Sequence, residues 1–298
     1  MATLYTQAES NIRKTWLFIF GFLVFIIALG WLLSYLLNSY IFLTIAVIWA
    51  VVQSFVTYWY SDKIVLALTR AKEIKHDENP ELYHVVENLC ITAGLPLPKV
   101  YILDEAQPNA FATGRNAKKA VVVVTRGLLE KLEKPELEGV IAHELSHIGN
   151  RDILLSAVVV VLVGIIASLS NLFLRISHWR GDRDSKSSAG LILLILGIVA
   201  ALLAPLAATM IQLAISRKRE FLADASGVLL TRYPDGLIRA LEKISADPNP
   251  LRVASNQTAH LYISSPFRGR QTASWFTKLF MTHPPIEERI KALQGLRI

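Results

Sequence analysis

The sequence predicts an α+β membrane protein: four transmembrane helices and, outside the bilayer, a domain with a small β-sheet. Three observations carry that expectation. Four uncharged apolar runs each reach the roughly 20 residues that a helix needs to cross a hydrocarbon core. Lysine and arginine gather at the ends of those runs. The polar stretches between and after them carry short helix and strand patterns. Composition agrees: 53% of the 298 residues are hydrophobic and 18% charged. A soluble domain carries about a quarter charged residues, so both an ordinary water-soluble globule and a disordered chain are excluded. The single Cys90 excludes an intramolecular disulfide and a cysteine-rich metal site. A net charge of +7 admits nucleic acid or an anionic membrane as partner. Because the basic residues flank apolar runs, the lipid bilayer is the expected partner and nucleic acid is not.

The elements follow in order. Residues 16–37 form the first apolar run. It is too long for the core of a secretory signal, and no small-residue cleavage site follows, so it reads as an uncleaved anchor. Asn38 and Ser39 leave a tight turn before the second run, residues 40–59. Residues 1–60 are thus expected to form an N-terminal transmembrane hairpin. Residues 153–174 and 191–215 give a second hairpin over 153–215, interrupted by Gly164, Gly197 and Pro205, which membrane helices tolerate. Arg13, Lys14, Lys63, Arg70, Arg151, Arg217, Lys218 and Arg219 all fall on one side, which becomes the cytoplasm. Arg175, Arg180, Arg183 and Lys186 oppose that orientation and are outnumbered.

The polar stretches, 61–152 and 216–298, share that side and are expected to form one discontinuous domain. Asn79-Pro80-Glu81 reads as a helix start, with proline in the first turn. Leu82, Val85, Val86 and Leu89 then recur at helical spacing, and Gly94 ends the run. Residues 100–103, 109–113 and 120–125 are strand candidates; the last, AVVVVT, is the clearest. Pro135 opens a helix that is free to run on into the third span. Residues 247–285 are rich in Pro, Ser, Asn and Gly and read as a loop or mobile segment.

The chemistry centres on His143-Glu144-Leu145-Ser146-His147, an H-E-x-x-H pattern on a predicted helix. Histidines four apart share one helical face and can reach one metal ion, with the glutamate beside them as a general base. A catalytic zinc needs a third protein ligand. Glu220 and Asp224, again four apart, can supply one: Glu220 can bind the metal while Asp224 accepts the spare N–H of a ligand histidine; the alternative is a surface helix on which both pair with Arg217, Lys218 and Arg219. His147 lies six residues before the third span and Glu220 five after the fourth. Both therefore stand about 8–9 Å outside the same membrane face.

HELSH, EFLAD, the upstream PNAFATG and the terminal THPPIEERI together resemble the HtpX-type membrane metalloproteases, gluzincins related to the CAAX prenyl proteases. The resemblance covers nearly the whole chain. It implies a zincin-like protease domain and a zinc endopeptidase. It places that enzyme at the cytoplasmic face of a bacterial plasma membrane, acting on membrane-protein or peptide substrates in membrane-protein quality control. It assigns His143, His147 and Glu220 to zinc, Glu144 to general-base catalysis and Asp224 to support of a ligand histidine. Beyond it, His283 and Arg289 are candidate donors to the oxyanion of the transition state. Asn109, in a strand beside the site, is a candidate for holding an extended substrate by β-addition. His76, His84, His178 and His260 have no motif context and read as structural or solvated.

Other classes of function make different demands. A divalent-metal transporter needs ionisable groups inside its spans, and the four runs contain none. An intramembrane zinc protease would use a distant Asp-Gly as third ligand, but Asp235-Gly236 sits in the polar RYPDG. A membrane scaffold would have no use for an intact ligand set.

Overall fold

The computed structural model describes residues 4–180, 209–210, 217–267 and 284–296. Nearly all of the fourth apolar run, and His283, lie outside the described residues. Helix α1 (Leu4–Leu36) turns back through Asn38, at φ +48°, into α2 (Ile41–Thr69). Among the described residues three helical stretches are long and apolar enough to cross a membrane: Glu9–Leu36, Ile41–Thr69 and Asp152–Asn171. Their outward faces keep Leu17, Phe20, Ile45, Ile48 and Phe55 exposed. A contiguous apolar surface of this kind requires lipid as its solvent. Their inward faces pack Ile19, Phe22 and Ile26 against Leu155, Val158, Leu162 and Ile166. Trp16 stacks on Tyr58 at 5.2 Å, and the Arg115 guanidinium lies 4.0 Å from the Trp59 ring centroid. Aromatic residues at that level mark a membrane–water boundary.

Beyond this boundary stand β1 (Lys72–Glu73), α3 (Pro80–Ala93), β2 (Lys99–Leu103), β3 (Ala110–Gly114) and β4 (Ala120–Thr125). The Asn79 side chain accepts from the Leu82 amide at 3.0 Å and starts α3, and Gly94, at φ +64°, ends it. The sheet order is β1-β2-β4-β3, with β2 and β4 parallel and the other two pairings antiparallel. The register pairs Ala110 with Val124 and Ala112 with Val122. Every residue of β4 is buried because both sheet faces are covered. Val122 and Val124 face α3 and the site helix, while Val121 and Val123 face Val65, Ala157 and Val160 of the membrane helices. The sheet thus rests on the bundle.

Helices α4 (Arg126–Lys131) and α5 (Lys134–Gly149) follow, then α6 (Asp152–Arg180). The expectation that α5 might continue into the third span is corrected here. The helix ends at Asn150, Arg151 takes the left-handed conformation at φ +56°, and a new helix starts at Asp152. Helices α7 (Arg217–Thr231) and α8 (Pro234–Ala246) pack against α5, and α9 (Ile286–Gln294) packs on α8 and α7.

A second correction concerns the described part of the 247–285 stretch. It is non-periodic, but it is packed rather than loose. Leu251, Tyr262, Ile263 and Phe267 are buried, and the Ile263 amide donates to the Ala110 carbonyl on the free edge of β3 at 3.0 Å.

Candidate metal centre

Helix α5 presents His143 and His147 on one face, as i,i+4 spacing requires. Helix α7 crosses it closely at Gly227, where an added Cβ would lie 2.9 Å from the His143 backbone nitrogen. That approach brings Glu220 to the histidines. One ligand atom each from His143, His147 and Glu220 lies within 4.8 Å of the others. The two imidazole Nε2 atoms are 3.2 Å apart. Glu220 oxygens stand 3.9 Å from His143 Nε2 and 3.7 Å from His147 Nε2.

The far side of each ring explains why both Nε2 atoms point inward. His143 Nδ1–H donates to Asp224 Oδ1 at 2.9 Å, and His147 Nδ1–H donates to Asp152 Oδ2 at 2.9 Å. With Nδ1 donating outward, Nε2 is the nitrogen that each ring turns inward, and in the neutral imidazole it is a bare acceptor. Two acceptor nitrogens and a carboxylate oxygen converge, and such a donor set fits a divalent cation. The cleft beside them offers about 30 Å³, room for an ion and about one solvent molecule. Ala112, His260 and Ile263 share its wall with the ligands.

The electrostatics agree with the geometry. Burial keeps His143 below its ordinary pKa, hence neutral, as a metal ligand must be. Burial also pulls His147 down, but Asp152, Glu220 and Glu144 outweigh it and push it up to about 9. A cation bound between the ligands would take the place of that proton, drawn by the same acidic field. Glu144, buried in the same cleft, is pushed up to about 7, chiefly by burial. Burial raises Asp224 too, but Arg289 and His143 prevail and hold it at about 2.

Some expectations change here. Arg289 is fully buried: its Nε donates to Asp224 Oδ2 at 2.8 Å, its Nη2 to Asp224 Oδ1 at 2.6 Å and its Nη1 to the Ile263 carbonyl at 2.8 Å. It is engaged by the carboxylate that holds His143 and by the Ile263 carbonyl and is not part of the cleft lining, so the structure places it as a support of Asp224 rather than as a donor to an oxyanion. Asn109 is not open to a substrate. It is buried, its side-chain amide donates to Gln107 and to the Ser264 carbonyl, and the chain's own Ile263 occupies the adjacent β3 edge. His260, which had no motif context, is buried in the wall of the site with Nε2 3.3 Å from the Ser156 carbonyl. His76 and His84 are exposed, and Asp235 lies exposed in the first turn of α8, outside the ligand group. Asp152 is the supporting residue that sequence reading missed; its position three residues past Gly149, the last residue of the HELSH helix, was the only signal.

Comparison with known proteins gives the same answer. Peptidase family M48 matches residues 76–297. A protein named Protease HtpX homolog from Thermoanaerobacter pseudethanolicus is 47% identical over 302 residues, 99% of this chain and 98% of its own. Its namesake from Caldanaerobacter subterraneus is 45% identical over 305 residues, 99% of both chains. Among solved structures, Ste24p of S. mikatae matches with TM-score 0.49 and 20% identity, over 97% of this chain and 66% of that one. With a metal-ligand cluster of two histidines and a glutamate and a match across three-quarters of its length, the chain belongs to peptidase family M48, among the proteases of the HtpX type.

Proposed function

We propose that this membrane metalloprotease is a zinc endopeptidase. In this reading it hydrolyses peptide bonds of membrane proteins, misfolded ones among them, at the cytoplasmic face of a bacterial plasma membrane. The observation that carries the reading is the convergence of His143, His147 and Glu220 beside the buried Glu144, at the membrane-side end of α5. Zinc suits two imidazoles and one carboxylate, and when bound it supplies Lewis-acid polarisation of the scissile carbonyl and acidifies the attacking water.

The chain's own residues do the rest. Glu144 takes the proton of the attacking water and returns it to the leaving amine, and burial, which raises its pKa, favours its holding that proton between the two steps. Asp224 and Asp152 keep the two histidines in the tautomer that leaves Nε2 free. His283 is assigned in this reading as a donor to the oxyanion, held by the two prolines that follow it. The stretches 61–152 and 216–298 work as one protease unit carried by the hairpins 1–60 and 153–215.

The test is metal analysis and proteolysis of a membrane-protein substrate in reconstituted bilayers. The purified chain should contain about one zinc and cut; Glu144→Gln should contain the same zinc and not cut. For orientation, single cysteines at Asn116 and Pro250 should resist an impermeant thiol reagent in intact cells, while one at Ser185 reacts. Reaction at Asn116 in intact cells would reverse the assigned membrane face.

A further inference from the structure

We infer that Asn11, in the first transmembrane helix, is a positioning residue for the metal site: it holds the Asp152 carboxylate that orients His147. The inference rests on reading His143, His147 and Glu220 as a zinc site. Asn11 is buried, and all its polar capacity is used at one junction. Its Nδ2 donates to Asp152 Oδ1 at 2.5 Å and to the Asn150 carbonyl at 3.2 Å. Its Oδ1 accepts from Arg219 Nη1 at 3.0 Å, and the same Nη1 donates to Asp152 Oδ1 at 3.1 Å. Asp152 is therefore divided by function. Oδ2 receives the His147 N–H, while Oδ1 is fixed by an amide from α1 and a guanidinium from α7.

Location makes the arrangement informative. The stretch Glu9–Leu36 has 28 residues. At 1.5 Å per residue it measures about 42 Å, longer than a hydrocarbon core of about 30 Å. Asn11 lies before Trp16, in the part that projects on the side of the site. A buried amide that ties three helices at the end of a span is costly unless every bond is made. Here they are made to one carboxylate and its neighbours, and that carboxylate touches a metal ligand. Arg219 adds to the dependence: its buried Nε has no hydrogen-bond partner among the described residues, so Asn11 and Asp152 are what its Nη1 holds. The docking of α1 thereby reaches His147 through two hydrogen bonds.

The experiment uses the full chain in the Glu144→Gln background, reconstituted, with zinc affinity read by chelator competition and ligand geometry by the absorption spectrum of the cobalt-substituted protein. Asp152→Ala should weaken zinc about 10–100-fold. Asn11→Leu, which fills the volume and removes the amide, should weaken it by about tenfold, the lower end of that range because Asn11 acts one bond further out. It should also shift the cobalt spectrum as Asp152→Ala does. In the Asp152→Ala background, Asn11→Leu should add nothing, because the bond it acts through is gone. Asn11→Ser, which keeps a donor and an acceptor, should recover part of the affinity and serves in its place if Asn11→Leu does not fold. Independent, additive losses would overturn the inference, as would native zinc affinity in Asn11→Leu. Unchanged zinc in His147→Ala would instead remove the zinc-site reading itself, so the two failures are distinct.

Discussion

His143 and His147 sit one turn apart on α5 and play the same role, yet different parts of the molecule support them. His143 is held from the extramembrane side, by Asp224 of α7, which is clamped in turn by the fully buried Arg289 of α9. His147 is held from the membrane side, by Asp152 at the head of α6, which is tied to Asn11 of α1 and to Arg219. The first support is a two-bond ion pair. The second is a junction of amide, carboxylate and guanidinium. The candidate metal centre therefore lies on the seam between the sheet domain and the bundle, with one support on each side. Burial at the seam has to be matched by hydrogen bonding on each side; the Arg289–Asp224 pair bonds both carboxylate oxygens, whereas at the junction the buried Arg219 Nε has no partner among the described residues.

Substitutions should separate the two supports from each other and from the chemistry. The largest effect belongs to Glu144→Gln, which leaves both supports intact: turnover should fall by about 10²–10⁴-fold with metal content unchanged. Near-native turnover in purified Glu144→Gln would sink the general-base assignment. Replacing Glu220, the ligand contributed by neither support, with alanine should deplete bound metal in elemental analysis; full stoichiometry and affinity would mean that another group is the third ligand. Asp224→Ala and Asp152→Ala should each lower metal affinity about 10–100-fold. Their stabilities should differ. Asp224→Ala strands a buried guanidinium and should cost about 3–5 kcal/mol in denaturation of the full chain. Asp152→Ala also removes the carboxylate paired with a buried guanidinium, but Arg219 keeps its bond to Asn11, so the cost should fall at the low end of that range, about 3 kcal/mol. Equal losses would erase the contrast between ion pair and junction. The smallest effect is expected from Gly227→Ala. The new methyl meets backbone of α5 beside His143, so α7 must withdraw, costing about 1–3 kcal/mol. A metal affinity unchanged by that withdrawal would show that Glu220 is not placed by the close crossing.

What was legible in the sequence was what periodicity and local chemistry write into it. The i,i+4 pairs His143/His147 and Glu220/Asp224 could be placed on helix faces without knowing the fold. AVVVVT could be recognised as a strand, and Asn79-Pro80 and Gly94 as the ends of α3. What was not legible depends on chain reversals. Asp152 reaches His147 only because Arg151 leaves the helical conformation; on a continuous helix, five residues on, it would be rotated well off that face. Arg289 lies 65 residues beyond Asp224 and Asn11 141 before Asp152, and no local pattern announces either pairing. Residues 251–267 escaped notice for a related reason: their order comes from edge hydrogen bonds such as Ile263 to Ala110 and from buried Tyr262, neither of which repeats along the chain.

The break at Arg151 also limits what length changes the chain can tolerate. Loops ordinarily absorb insertions and deletions with little penalty. The connection between α5 and α6 is a loop by any local measure, but its two flanks carry a metal ligand and that ligand's hydrogen-bond acceptor. A residue added or removed in the first turn of α6 would turn Asp152 by about 100° relative to the rest of that helix and carry it off His147. With Asp152 kept in place, the same change would instead rotate the apolar stripe Leu155, Val158 and Leu162 away from α1. This short segment is therefore a spacer of fixed length. Arg151→Gly, which relieves the positive φ without altering the count, should be tolerated there, whereas a single inserted alanine should not.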